Sequence, residues 1–181
     1  MLKWLIRRRL AAFEREFDYD TSYVRDILDA DLKAAMAFNK FQAMAQYRGG
    51  APADAFAAAG IVATMHEDCG PCTQLGVTMA ERGGVPAAVL RAIVSGDERN
   101  MSDNARLAYR FAKSTLAHDP AADELREEIV RRWGRRAAVA LAFNIAAGRV
   151  YPTVKYALGH GNSCQRVTVG GSVTPVLKAA A

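Results

Sequence analysis

Two cysteines three positions apart are the residues of this sequence best suited to chemistry. Cys69 and Cys72 enclose Gly70 and Pro71, and His66 precedes the pair by three residues. The thiolate is the reactive form of cysteine, and this spacing on a first helical turn lets one sulfur attack while the other closes a disulfide. The spacing therefore predicts a redox-active dithiol with Cys69 and Cys72 as its catalytic residues.

The neighbours of the dithiol suggest how a thiolate is stabilised. Pro71 suits the first turn of a helix, which would place Cys69 at a helix N-terminus, where free N–H groups and the helix dipole favour an anion. His66 would lie one turn earlier on the same face, and we interpret it as the catalytic base. We expect Glu67 or Gln74 to orient the imidazole or to hydrogen-bond to substrate.

Two other interpretations of the cysteines remain open. Five of the six cysteine and histidine residues fall in two clusters, His66-x2-Cys69-x2-Cys72 and His160-x3-Cys164. These are ligand types that structural zinc accepts, although the downstream pair lies in a glycine-rich tail. The other alternative is a helical assembly protein with buried structural thiols. We expect no metal and no cofactor, and we interpret Cys164 as a bystander.

Composition places the chain among alanine-rich helical proteins. It has 181 residues, of which 51% are hydrophobic and 24% charged, with a net charge of +5. Alanine is frequent and β-branched residues are sparse before the last stretch, which favours an all-α fold. The basic residues cluster on helix-like segments without a nucleic-acid-binding motif. We therefore expect no nucleic-acid partner.

The N-terminal segment is basic and amphipathic, but it lacks the apolar core and cleavage site of a signal peptide. No run looks long and apolar enough to span a bilayer, and such a surface helix more often packs on protein than on a membrane. Three cysteines are too few for a secreted disulfide framework. We expect a cytoplasmic protein without membrane contact.

Periodicity and helix caps predict about eight helices and a tail. The predicted helices are 1–17, 20–47, 52–65, 73–82, 86–94, 102–118, 123–133 and 135–158, the last with a bend at Pro152. Gly60, inside the third helix, indicates close packing. We divide the chain into an amphipathic arm (1–50) that packs on the core or on a neighbouring subunit, a helical core (51–159) and an extended, irregular tail (160–181).

The order of motifs carries a resemblance over residues 56–159. Cys69-Gly-Pro-Cys72 is followed by characteristic stretches at 88–90, 105–116, 139–144, 149–152 and 157–159. In this order they resemble the carboxymuconolactone decarboxylase family, within it the alkyl hydroperoxidase D-like (AhpD-like) branch. The resemblance implies an AhpD-like all-α bundle that forms dimers, trimers or hexamers, with the dithiol near a subunit interface and Tyr151 lining it.

One departure from that branch affects the expected activity. The branch carries a glutamate and a histidine that relay protons to the second cysteine, and this sequence has Ala57 and Gly76 at those positions. His66 and Glu67 are the nearby replacements. We predict a thiol–disulfide oxidoreductase or weak alkyl hydroperoxide reductase that acts on a small peroxide or a redox partner protein. Gln74 and Tyr151 are its candidate substrate-binding residues.

Overall fold

Alanine-rich segments form helices through most of the part of the chain that the computed structural model describes, residues 1–163 and 166–177. The all-α class predicted from composition is confirmed. The helices are α1 (Leu2–Phe17), α2 (Ser22–Ala30), α3 (Leu32–Asn39), α4 (Phe41–Gln46), α5 (Ala53–His66), α6 (Gly70–Arg82), α7 (Ala87–Ser95), α8 (Asp103–Leu116), α9 (Ala121–Trp133) and α10 (Arg135–Ala157). A short 3₁₀ helix, Glu98–Asn100, precedes α8.

Helix α5 lies at the centre of the core, packed against α6, α7, α8 and α10. Most of its residues are buried, and small side chains allow close approach. A Cβ atom on Gly148 of α10 would lie 2.6 Å from Ala63 Cβ and 3.2 Å from the Gly60 carbonyl oxygen. The close packing predicted at Gly60 is therefore confirmed, and it sets how near α10 can come to the end of α5.

The helix predicted over residues 20–47 is wrong in one respect, because it is interrupted twice. Asp31 has an extended backbone (φ −157°, ψ 126°), and its carboxylate accepts a hydrogen bond from the Lys33 N–H at 2.9 Å. Asp31 thus ends α2 and caps α3, as a short acidic side chain readily does. A second interruption at Lys40 separates α3 from α4.

The N-terminal arm packs on α10 through α4 and buries side chains in its middle. Helix α1 has no buried residue, whereas Tyr19, Tyr23 and Leu28 are buried. Arg82 of α6 holds the end of α1 by donating to the Glu16 carboxylate at 2.8 Å, and its guanidinium lies over the Phe17 ring at 4.3 Å. The end of α1 is thereby fixed on the core beside the end of α6.

The described part of the tail pairs into an antiparallel hairpin. Strands β1 (Arg166–Val169) and β2 (Ser172–Pro175) are joined by Gly170 and Gly171, and both glycines have positive φ. Val167 and Val169 are buried against the core, so the segment expected to be irregular is ordered by burial of one strand face. Cys164 lies outside the described residues.

Helix α10 contradicts the expectation that no segment is long and apolar enough to cross a membrane. Its 23 residues meet that requirement by length and composition. A core helix of a soluble protein meets the same requirement, and α10 packs against α4, α5 and α9. Pro152, where the sequence predicts a bend, lies within α10 and is buried.

Candidate functional site

Cys69 is the N-cap residue of α6, as its position before Pro71 predicts. A tight turn holds it there: Asp68 has positive φ, and the Cys69 N–H donates to the Thr64 carbonyl at 3.2 Å. The Thr73 hydroxyl donates to the Cys69 carbonyl at 2.9 Å and lies 3.1 Å from the Thr64 hydroxyl. Both cysteines are free thiols, so α5 and α6 present two thiols at a helix N-terminus.

The two thiols have different affinities for a proton. The pKa of Cys69 is lowered to about 7, and hydrogen bonding from the Cys72 thiol is the largest cause. The Cys72 backbone N–H and the charge of Lys155 lower this pKa further, whereas burial raises it. The same hydrogen bond and burial raise the pKa of Cys72. The lowered pKa favours the thiolate form of Cys69, whereas the raised pKa favours the protonated form of Cys72.

Lys155, in the last turns of α10, supplies the cation of the site. Its side chain is only 1% exposed, which is rare for lysine. Its ammonium lies 4.7 Å from the Tyr19 ring and 5.3 Å from the Tyr23 ring, within the range of cation–π attraction. Its charge lowers the pKa of both thiols, so it favours the thiolate.

The N-terminal arm covers the dithiol. Tyr19, between α1 and α2, places its hydroxyl 3.7 Å from the Cys72 sulfur. Cys69 is completely buried and Cys72 is 6% exposed. Helix α2 attaches the arm to the segment after α10. Its Ser22 and Asp26 contact the two ring nitrogens of His160 at 2.9 and 2.6 Å. A reactant therefore reaches the sulfurs only if it is small or if this cover moves.

His66, the predicted base, is exposed at the last position of α5, whereas Cys69 is buried. Across residues 1–163 and 166–177, no hydrogen bond joins the His66 ring to either sulfur. Glu67 does not orient that ring, because Arg149 donates to its carboxylate at 2.7 Å and Thr153 at 3.4 Å. These contacts instead fasten the cysteine loop to α10, and the catalytic roles of His66 and Glu67 stay predictions.

The two candidate substrate-binding residues are engaged elsewhere. The Gln74 amide donates to the Thr168 carbonyl at 3.0 Å and accepts from the Thr168 N–H at 2.7 Å, as a neighbouring strand would. Gln74 therefore fixes the hairpin to α6. Tyr151 packs edge-on against Phe38 of the arm, with ring centroids 5.4 Å apart. Tyr151 thus lies beside the aromatic residues of the arm, and none of its described contacts is with a cysteine sulfur.

The zinc alternative requires ligands that the described residues do not bring together. No group of three potential ligands among histidine, cysteine, aspartate and glutamate is found in that part of the chain. His160 has both ring nitrogens engaged by α2, and Cys164 is not among the described residues. The described residues therefore do not assemble a four-ligand zinc site around the dithiol.

Sequence reasoning missed Tyr19, Tyr23 and Lys155. No motif links the tyrosines to cysteines some fifty positions later, since only tertiary packing joins them. Lys155 did leave a signal, because it is the one charge in the stretch 150–158. A lone charge in an apolar helix segment is a candidate for a buried functional group. The positions of the missing relay, Ala57 and Gly76, carry no polar side chain.

No protein-family model, no curated protein and no solved structure matches this chain. The resemblance to the carboxymuconolactone decarboxylase family, the homo-oligomer that it implies and the cytoplasmic location therefore stay predictions.

Proposed function

We propose that this protein is a thiol–disulfide oxidoreductase whose Cys69–Cys72 dithiol is oxidised by a small hydroperoxide. The observation that carries the proposal is the unequal pair at the start of α6, where hydrogen bonding from Cys72 and the charge of Lys155 lower the pKa of Cys69. A thiol with this pKa is substantially ionised near neutral pH and therefore nucleophilic. A structural thiol in an apolar core would have a raised pKa.

Burial supports a small oxidant over a protein disulfide. A folded protein cannot approach a sulfur with no exposed surface, but a hydroperoxide needs only a narrow or transient opening. The departures at Ala57 and Gly76 are consistent with a slow peroxidase that uses other groups near the sulfurs.

The test follows both the oxidant and the thiols. Reduced protein is mixed with cumene hydroperoxide, and peroxide loss with dithiothreitol as reductant is measured together with the mass of the Cys69–Cys72 peptide. We expect turnover and loss of two hydrogens from that peptide. Cys69→Ser abolishes turnover, and Cys164→Ser is the matched control that keeps it. Equal peroxide loss in wild type and Cys69→Ser would refute the proposal.

A further inference from the structure

We propose that Tyr19 is a catalytic residue of the dithiol reaction, donating a hydrogen bond to the Cys72 sulfur while that sulfur closes the disulfide. The inference rests on the proposed function and assigns a residue of the arm to its second step. It is carried by the contact of 3.7 Å between the Tyr19 hydroxyl and the Cys72 sulfur, inside a buried cluster that also contains Lys155.

The surroundings of Tyr19 keep its hydroxyl a donor. Tyr19 is 6% exposed, and burial raises its pKa, so the phenol retains its proton. The ammonium of Lys155 faces the ring at 4.7 Å and holds it in place by cation–π attraction. Tyr23, in the first turn of α2, also interacts with the Tyr19 hydroxyl. The hydroxyl thus keeps its proton and lies beside the Cys72 sulfur.

Cys72 is the sulfur that needs assistance. Its thiol donates to Cys69, and with burial this raises its pKa, whereas the Tyr19 hydroxyl and the Lys155 charge lower it. When Cys72 becomes the nucleophile it must lose its proton in a buried site. A donor on the far side of the sulfur stabilises the negative charge that develops there.

The chemistry has two balanced steps. In the first, the Cys69 thiolate attacks the terminal oxygen of an alkyl hydroperoxide; the S–O bond forms and the O–O bond breaks. The alkoxide takes from solvent the equivalent of the proton that Cys69 released when it ionised, and it leaves as an alcohol. Sulfur is oxidised by two electrons and the peroxide is reduced by two. In the second, the Cys72 sulfur attacks the Cys69 sulfenic acid; the S–S bond forms, and the departing hydroxide takes the Cys72 proton to give water. An external dithiol later reduces the disulfide.

The direction of the hydrogen bonds fits the second step. The Cys72 proton points toward Cys69, the sulfur that carries the leaving hydroxyl group, so it passes directly to that group. Tyr19 then acts only on the sulfur that is losing the proton. Removal of its hydroxyl should slow disulfide closure and leave the first step, at Cys69, nearly unchanged.

The experiment compares Tyr19→Phe with Tyr109→Phe in the full chain carrying Cys164→Ser. Tyr109 is a matched control: it is buried, its ring faces the ammonium of Lys113 at 5.4 Å, and its hydroxyl lies beside Gly96, with no described contact to a cysteine. Single turnovers with cumene hydroperoxide are quenched with dimedone, which traps sulfenic acid, and with N-ethylmaleimide. Peptide masses then give the rates of both steps.

We expect Tyr19→Phe to slow disulfide closure about tenfold or more, the effect of a lost hydrogen bond to a charged group. Dimedone-trapped Cys69 should accumulate, and the rate of its formation should stay within about twofold of wild type. Tyr109→Phe should keep both rates. Unchanged closure in Tyr19→Phe, or equal slowing of both steps as in a general structural defect, overturns the inference while the proposed function stands. Wild-type protein that forms neither sulfenic acid nor disulfide overturns both.

Discussion

Removal of the Cys72 thiol should return Cys69 toward the behaviour of an ordinary cysteine. Hydrogen bonding from that thiol is the largest cause of the lowered pKa of Cys69. Cys72→Ala deletes it but retains the backbone N–H and Lys155, which also favour the thiolate. Cys72→Ser is the matched variant, because its hydroxyl can still donate. We expect the pKa of Cys69 to rise in the alanine variant and to rise less in the serine variant.

The size of the effect follows from the lowered pKa of Cys69. That pKa is lowered from 9.0 to about 7. At pH 7 about half of Cys69 is therefore thiolate, against about one hundredth for an unshifted thiol. The difference corresponds to roughly 3 kcal/mol of thiolate stabilisation. Cys72→Ala removes the largest contribution to it, whereas burial and the Asp68 charge still oppose the thiolate, so the midpoint of this variant should rise well above 7.

The assay is the rate of Cys69 alkylation by iodoacetamide as a function of pH, with peptide masses locating the adduct and Cys164→Ser as background. Burial slows alkylation at every pH, but the midpoint of the profile still reports the thiol pKa. A midpoint near pH 9 in wild type, or one that Cys72→Ala does not move, would refute the reasoning about the unequal pair.

Three further outcomes follow from the same electrostatics. Asp68→Asn should shift the Cys69 profile to lower pH, because the carboxylate opposes the thiolate and asparagine tolerates the positive φ of 48°. Lys155→Met should shift that profile to higher pH by more than His66→Ala does; the reverse order would favour the imidazole as the base. Under reducing conditions, urea unfolding should show the stability of wild type increasing relative to Cys69→Ala by up to roughly 3 kcal/mol between pH 7 and pH 9. The unfolded thiol still holds its proton there while the native one has lost it, so this stabilisation disappears as pH falls through about 7.

Local rules predicted the parts of the site that are encoded locally. Pro71 and the two-residue spacing predict that Cys69 caps a helix, which the structure confirms. The break at Asp31 was missed because helix propensity was read over the whole stretch 20–47, although an aspartate between two short apolar runs is a capping residue. The hairpin of the tail depends on burial of Val167 and Val169, which periodicity alone does not reveal.

The electrostatics of the site could not be derived from the neighbours of the cysteines along the chain. Sequence proximity suggested His66 as the group that would stabilise a thiolate, yet its ring is exposed and the nearby buried cation is Lys155. Charge acts through space and most strongly where water is excluded, so a buried lysine from α10 outweighs an exposed imidazole three residues away.

The arm changes what the C-x-x-C segment can do. The core by itself provides two thiols at a helix N-terminus and a cation, which together favour one thiolate. Tyr19 adds a donor to the other sulfur and, with Tyr23, encloses the cation between two rings. Tyr19, which contacts the Cys72 sulfur, therefore comes from a different segment than the Cys72 thiol and Lys155, which lower the pKa of Cys69. Substitutions in the arm should consequently separate the two half-reactions, whereas substitutions around Cys69 should affect both, since no disulfide forms unless the first thiolate has reacted.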